Sequence, residues 1–275
     1  MADCVKTIIT TDKAVGTDEQ RLSICLRTNG FSFSTVTLER ELLAFGEVEC
    51  DMLHETGELA TRVKELLTEN GIDTFGCKEV LLIVPSEQTV WVPEHLYDAT
   101  RDRQYLKMVA AMEDDMGAYH AYNACVKSYI VFTAPTEVVT AFKLAIPGID
   151  VVCQHSVLVT ERLKERSRQH PMMLMHVRDG AGDYEAYYSG QLLLSNSFSA
   201  TSDGELLYHA LEVMKRLHIE TPDMELAICG EVGREIFGML QHYFPNVTLY
   251  TGKPFTYSNT DFQTWHSYRH ILLLN

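Results

Sequence analysis

The sequence predicts an α/β protein of two lobes related by internal duplication, each a mixed sheet flanked by helices. Three observations carry this. First, Leu22-Ser-Ile-Cys-Leu-Arg-Thr-Asn-Gly-Phe-Ser-Phe lies on Met173-Leu-Met-His-Val-Arg-Asp-Gly-Ala-Gly-Asp-Tyr at one constant offset of 151, matching Arg27 with Arg178, Phe33 with Tyr184 and Leu42-Leu43 with Leu193-Leu194. Second, each copy runs through a helix-like stretch into a short apolar strand, Val80–Val84 in one and Leu226–Cys229 in the other. Third, strands arrive first as hairpins and then alternate with helices, the order that gives a mixed sheet covered by helices. A length of 275 residues fits two domains of ordinary size, divided here into residues 1–134 and 135–275.

In chain order, residues 1–20 are polar and aperiodic and read as a loosely held arm. Arg21–Val36 alternates, with Leu22, Ile24 and Leu26 on one face and Ser23, Cys25 and Arg27 on the other, broken by the turn chemistry of Thr28-Asn29-Gly30. Leu42–Glu49 is a third strand. Leu59, Val63, Leu66 and Leu67 follow helical spacing, and Asn70-Gly71 ends that helix. Glu79–Val84, closed by Pro85, reads as a buried central strand. Residues 88–124 are less regular: Val90–Pro93 is extended, and Pro93 opens a helical turn. Then come a strand at Ser128–Thr133, a helix at Pro135–Ile146, a strand at Val151–Cys153 and a helix at Ser156–Arg168. The second copy supplies strands at Met172–Val177, Tyr184–Tyr188 and Leu192–Phe198, with turns at Asp179-Gly180 and Ser189-Gly190. A helix follows to Leu217 with Asp203 as its N-cap, then a strand at Leu226–Cys229, a helix at Gly233–Tyr243, a strand at Val247–Tyr250 and an irregular aromatic tail.

Composition narrows the function classes. The chain is 46% apolar and 22% charged, with a formal charge of −15, so its field repels a phosphate backbone and argues against nucleic-acid binding. The basic run from Arg162 to Arg168 contains Glu165 and reads as a solvated helix face. No 18-residue apolar stretch and no signal-like start occur, so no membrane insertion and a cytoplasmic location are expected. Seven scattered cysteines without a Cys-x-x-Cys pair point to reduced thiols rather than a disulfide framework or zinc site. His266 and His270 are four apart but lack a Glu-x-x-His frame, and no Gly-x-Ser-x-Gly elbow is present.

The wording LSICLRTNGFSFS, EVLLIVPSEQTVWVPEHLYD, QLLLSNSF, DGELLYHALEVMKRL and ELAICGEV resembles an uncharacterised bacterial family of proteins with an actin-like ATPase fold. The resemblance covers most of residues 20–275 and implies two ribonuclease-H-like lobes, as in the pilus-assembly and division proteins of that superfamily. It also implies where chemistry would sit. Active members carry Asp-x-Gly at the end of the first strand of each hairpin, the carboxylate ordering Mg²⁺ and the glycine letting backbone N–H groups approach phosphate. Here those places hold Cys25-Leu26-Arg27 and His176-Val177-Arg178, and the adenosine-site counterpart Cys229-Gly230-Glu231-Val232-Gly233 splits its glycine pair.

The candidate cleft residues are therefore Cys25, Arg27, His176, Arg178, Gly230 and Gly233. Residues two apart on a strand share a face, so Cys25 with Arg27 and His176 with Arg178 would look into the cleft. Two readings stand for the arginines: an anion site with one guanidinium per lobe, or ion pairs with carboxylates such as Asp179 and Glu231. Asp179–Asp183 reads as a hairpin turn. Gly230-x-x-Gly233 reads as a tight strand-to-helix connection or an anion-holding helix start. The aromatic tail, Phe255–Tyr257, Phe262, Trp265 and Tyr268, is either a partner surface or packs back on the second lobe. The expected function is binding without catalysis, as a scaffold or accessory to a protein partner, with no cofactor. The alternatives are an ATPase or phosphotransferase using ATP and Mg, and a sensor of a small anion in the cleft.

Overall fold

A computed structural model describes residues 6–10, 20–49, 59–72, 74, 77–163, 170–257, 259, 261–262 and 266–274. Leu22, Ile24 and Leu26 alternate along β2 (Gln20–Arg27) and all point into one apolar core. β2 pairs antiparallel with β3 (Gly30–Thr37) and parallel with β5 (Cys77–Val84). β4 (Leu42–Glu49) extends the hairpin, and β1 (Lys6–Thr10) closes its outer edge antiparallel. The arm expected at residues 1–20 is thus a sheet strand over Lys6–Thr10, and the rest of it up to Arg21 lies outside the described residues except Gln20 in β2. Its five residues are too few for a period to show.

Helix α1 (Leu59–Glu69) buries Val63, Leu66 and Leu67, and Gly71 ends it at φ 64°, where a side chain would be strained. β6 (Thr89–Pro93), α2 (Asp102–Lys107), β7 (Met116–Asn123) and β8 (Ser128–Pro135) make the irregular stretch a small inserted sheet of order β6-β8-β7. α3 (Thr136–Ala145) packs with α1, and β9 (Asp150–Cys153) pairs parallel with β5. The first sheet has order β1-β4-β3-β2-β5-β9, so it continues to Cys153, past the division at 134/135 read from the sequence.

Helix α4 (Gln154–Leu163) carries the chain across to the second lobe. Residues 164–169, including most of the basic run, lie outside the described residues. Arg162 itself is buried with its guanidinium over the Tyr250 ring at 5.0 Å, not on a solvated face. The second hairpin, β10 (Met172–Arg178), β11 (Ala181–Tyr188) and β12 (Gln191–Ser199), is followed by α5 (Asp203–Leu217), β13 (Glu225–Gly230), α6 (Arg234–Tyr243) and β14 (Asn246–Leu249). β10 pairs antiparallel with β11 and parallel with β13, repeating the first lobe, in a sheet of order β12-β11-β10-β13-β14. The N-cap of α5 is Ser202, whose hydroxyl accepts from the Glu205 N–H; Asp203 is its first helical residue and not the cap.

The duplication is closer than one offset allows. Arg27 faces Gly30 as Arg178 faces Ala181, an offset of 151, but Gly30 faces Glu49 where Ala181 faces Ser199, an offset of 150. The Ser189-Gly190 turn is one residue shorter than its counterpart, so the Leu42-Leu43 to Leu193-Leu194 alignment is corrected by one.

Each lobe has its own core on the outer face of its sheet: Leu22, Ile24 and Leu26 under α1 and α3, and Met173, Met175 and Val177 under α5 and α6. A third core lies between the lobes. There the inner faces contribute Cys25, Ile83, Leu174 and Cys229, α4 contributes Val157–Val159, and the terminal turn Ser267–Leu273 contributes Ile271–Leu273 with Leu274 behind. Full burial of each such aliphatic side chain is worth about 1.5–3 kcal/mol. The tail does not stay on the second lobe: Thr256 bridges to Glu41, and the Ser34 hydroxyl donates to the Leu273 carbonyl at 2.6 Å. Phe262 is buried there, Tyr257 is half exposed, and Trp265 lies outside the described residues.

Candidate functional site

The ends of β2 and β10 bring the two hairpin turns to opposite walls of one interlobe cleft, about 870 Å³, closed on a further side by Arg269, His270, Leu272 and Leu273. Cys25, Arg27, His176, Arg178 and Gly233 line it; Gly230 does not. Gly230 instead serves backbone packing at φ 88°: a Cβ there would stand 2.0 Å from the Val177 carbonyl oxygen, which already accepts from the Glu231 N–H at 2.8 Å. Gly233 caps the start of α6 and faces open space.

Both arginines are engaged. Arg27 Nη1 donates to Glu47 Oε1 at 2.6 Å, and its Nη2 lies 3.6 Å from Glu231 of the other lobe. Arg178 Nε donates to both oxygens of Asp183 at 3.2 Å, and its Nη2 lies 3.9 Å from Glu87 of the first lobe. Glu231 was anticipated as a partner, whereas Glu47, Asp183 and Glu87 were not. Cys25 is buried, and burial pushes its thiol up to about 12 despite the nearby Arg27 and Arg178 charges, so no thiolate is available. His176 Nδ1 sits 2.9 Å from Asp183 Oδ2.

Asp183 belongs to strand β11, not to the hairpin turn, and it is the hub of a buried polar network. Besides His176 and Arg178 it accepts from the Ser197 hydroxyl at 2.5 Å and from Gln154 Nε2 at 3.1 Å. Burial opposes its charge, but the His176 hydrogen bond and the Arg178 and His155 charges outweigh that and hold its carboxyl well below the usual carboxylate range. Gln154 also donates to the Ser86 carbonyl at 2.7 Å and accepts from the Ser86 N–H at 2.9 Å. His155 stands between Glu185 at 2.6 Å and Ser197 at 2.9 Å. Burial disfavours its charge, but the Glu185 bond and charge prevail and raise its pKa; burial raises Glu185 as well, so the pair keeps a proton.

Glu185–His155–Ser197 has the connectivity of a catalytic relay. Glu185 and His155 are fully buried, Ser197 nearly so, and the Ser197 hydroxyl is spent on Asp183, so no substrate reaches it. The network links the β5–β6 turn of the first lobe, the crossing helix and the second sheet. Sequence reading missed it because its members lie far apart in the chain; the available signal was two carboxylates, Asp183 and Glu185, alternating inside an otherwise apolar and aromatic strand. Burial pushes the His270 imidazole, which also lines the cleft, down to about 3, helped by Arg27 and Arg269, and its ring packs 4.5 Å from Phe45. Among the described residues no three His, Cys, Asp or Glu side chains converge as a metal site.

A family profile described as "Protein of unknown function (DUF3822)" matches residues 11–247. The chain belongs to this DUF3822 family. No curated protein matches it. Among solved structures, the DUF3822 chain is similar to a Bacteroides thetaiotaomicron protein with actin-like ATPase fold and unknown function, with TM-score 0.73 and 21% identity over 90% of this chain and 95% of that one. It is also similar to a chain of the PilM–PilN type IV pilus biogenesis complex, with TM-score 0.58 and 11% identity over 92% and 96% of the two chains. The DUF3822 chain therefore has an actin-like fold, and the family to which it belongs has no assigned function. Within that fold its two hairpins meet at the cleft, which Cys25 and Arg27 line from one lobe and His176 and Arg178 from the other.

Proposed function

We propose that this protein is a non-catalytic actin-like-fold scaffold or accessory protein that acts in the cytoplasm by binding a protein partner, without a nucleotide cofactor. One observation carries the reading: Arg27 and Arg178, which the resemblance puts where backbone would approach phosphate, are each tied to carboxylates of both lobes. A phosphate entering there would have to compete with the carboxylates already paired to both cations. The carboxylates that would order Mg²⁺ are replaced by the buried Cys25 thiol and by His176, which Asp183 holds. PilM, solved together with PilN, is a precedent for protein binding on this fold. No helix of the described residues is long and apolar enough to cross a membrane.

The test is the melting temperature with and without millimolar Mg-ATP, since a ligand that binds only the native state must raise it. No change is expected, and phosphate release should stay at background. A reproducible rise of several degrees with ATP and not with AMP would restore the ATPase or phosphotransferase reading. A second reading, a sensor of a small anion, draws on Arg178 Nη2, a buried nitrogen without a hydrogen-bond acceptor among the described residues, and on the exposed Arg269, which lines the same cleft. A sulfate and phosphate titration decides it: stabilisation beyond a general salt effect supports the sensor, and a flat response removes it.

A further inference from the structure

We propose that the outer edge of β12 is a strand-addition site for an extended segment of a partner protein, carrying a basic residue followed by β-branched apolar residues. The proposal rests on the partner-binding reading and adds the surface and the partner's chemistry.

The internal duplication supplies the template. β12 occupies in the second lobe the place of β4 in the first. Both are bulged at the same point, with Leu43 extra opposite Thr35/Val36 and Leu193 extra opposite Ala186/Tyr187. Beyond the bulge, β4 is paired by β1 from Thr10 opposite Ala44 to Lys6 opposite Val48. The equivalent residues of β12 are Leu194 to Phe198, and β12 ends its sheet with no strand beside it among the described residues. The Ala200 N–H bonds inward to the Gly180 carbonyl at 2.8 Å. Alternation then turns the N–H groups of Ser195, Ser197 and Ser199 outward. Their counterparts Phe45 and Glu47 are the residues facing Ile9 and Thr7 of β1.

An exposed edge of this kind is usually blunted by lysine, proline or an inward charge. Gln191–Ser199 contains no charged residue and no proline, and the bulge lies toward its turn end, clear of Leu194–Phe198. Main-chain pairing would supply affinity and the alternating side chains specificity. Charge selects the occupant. In the template Lys6 sits opposite Val48, equivalent to Phe198. The neighbouring Ser199 hydroxyl donates to Glu87 at 2.9 Å, and the Glu87 side chain is half exposed. Glu87 lies on the face of Ser199, so it draws a cation one position earlier in the added strand, opposite Ser199. A second copy of the chain would bring its own net charge of −15 against the first, which favours a different, basic partner.

The probe is a fluorescent synthetic peptide copying Val5–Thr11 with Val5→Lys, titrated into the whole protein by anisotropy, with hydrogen exchange to locate it. Saturable binding is expected, with slowed exchange at residues 194–199. N-methylation of the peptide at Thr7 and Ile9, whose amides face the edge, should weaken binding about tenfold, as expected for two lost backbone bonds, while N-methylation at Ile8 changes it less than twofold. Ser195→Pro in the protein removes an outward donor at a place where an edge strand tolerates proline. It should weaken binding several-fold with the melting temperature kept within a few degrees. No saturable binding, exchange slowed at residues 44–48 instead, or insensitivity to N-methylation would each overturn the proposal. So would a dimer in sedimentation that Ser195→Pro dissolves, since the edge would then belong to a second copy. A silent peptide with a flat Mg-ATP response removes this surface alone; an ATP-induced rise in melting temperature removes the wider reading.

Discussion

The Gln154 side-chain amide bonds the backbone of Ser86 in both directions, at 2.7 and 2.9 Å, at the first turn of the helix that joins the lobes. The same Nε2 also reaches Asp183 at 3.1 Å, so one uncharged residue couples the first lobe to the hub of the second. A reciprocal amide pair of this kind fixes position without adding net charge to a buried interface.

Removing that hub should be costly. Asp183→Ala leaves Arg178 and His176 without their buried carboxylate and Ser197 and Gln154 without an acceptor. A loss of about 3–5 kcal/mol is expected, the range for breaking a buried pair from one side. Urea denaturation checks it, and Asp183→Asn, which keeps an acceptor, should lose less.

Acid should loosen the fold through the same residue. The Asp183 pKa is depressed from 3.8, so its contribution is complete above that value and is lost as the pH falls toward the folded-state value. The His155 pKa is raised from 6.5, so its contribution is complete below that value and is lost as the pH rises through the folded-state value. A melting profile from pH 3 to 9 should fall at both ends. Asp183→Asn should flatten the acid limb, and His155→Gln the alkaline one.

The two candidate glycines should part company. Gly230→Ala drives a Cβ into the Val177 carbonyl at a positive φ and should cost about 3 kcal/mol or more, or prevent folding. Gly233→Ala meets open space at an N-cap and should cost about 1 kcal/mol or less. Comparing the midpoints of the two variants separates a packing glycine from a permissive one.

Arg178→Ala should destabilise more than Arg27→Ala with no anion present. Arg178 is the more buried, at 18% against 32% side-chain exposure, and its loss strips a cation from the fully buried Asp183. Arg27 sits among partly exposed partners, where ion pairs contribute about 1 kcal/mol or less. Equal losses in thermal unfolding would contradict this ordering.

Much of the architecture was legible because the two hairpins share a pattern, and alternation in β2 told the core face from the cleft face residue by residue. β1 escaped because five residues carry too little period. In the inserted sheet β6 and β8 were legible, and β7 escaped because it follows short turns and a six-residue helix. At the site, strand parity put Cys25 with Arg27 and His176 with Arg178 on one face, and the resemblance turned that face toward a cleft, which all four line. Gly230 could not, because its demand comes from the backbone of Val177, about fifty residues earlier. The partners Glu47 and Asp183, and the terminal residues Arg269 and His270, depend on tertiary packing that no local spacing encodes.

The terminal residues Ile271–Leu274, buried with Cys25 and Ile83 from one lobe and Leu174 and Cys229 from the other, have a thermodynamic consequence. Neither half can melt without stripping cover from the other, so heat should not resolve them as separate melting units. A calorimeter should record one endotherm whose measured enthalpy equals the van't Hoff value.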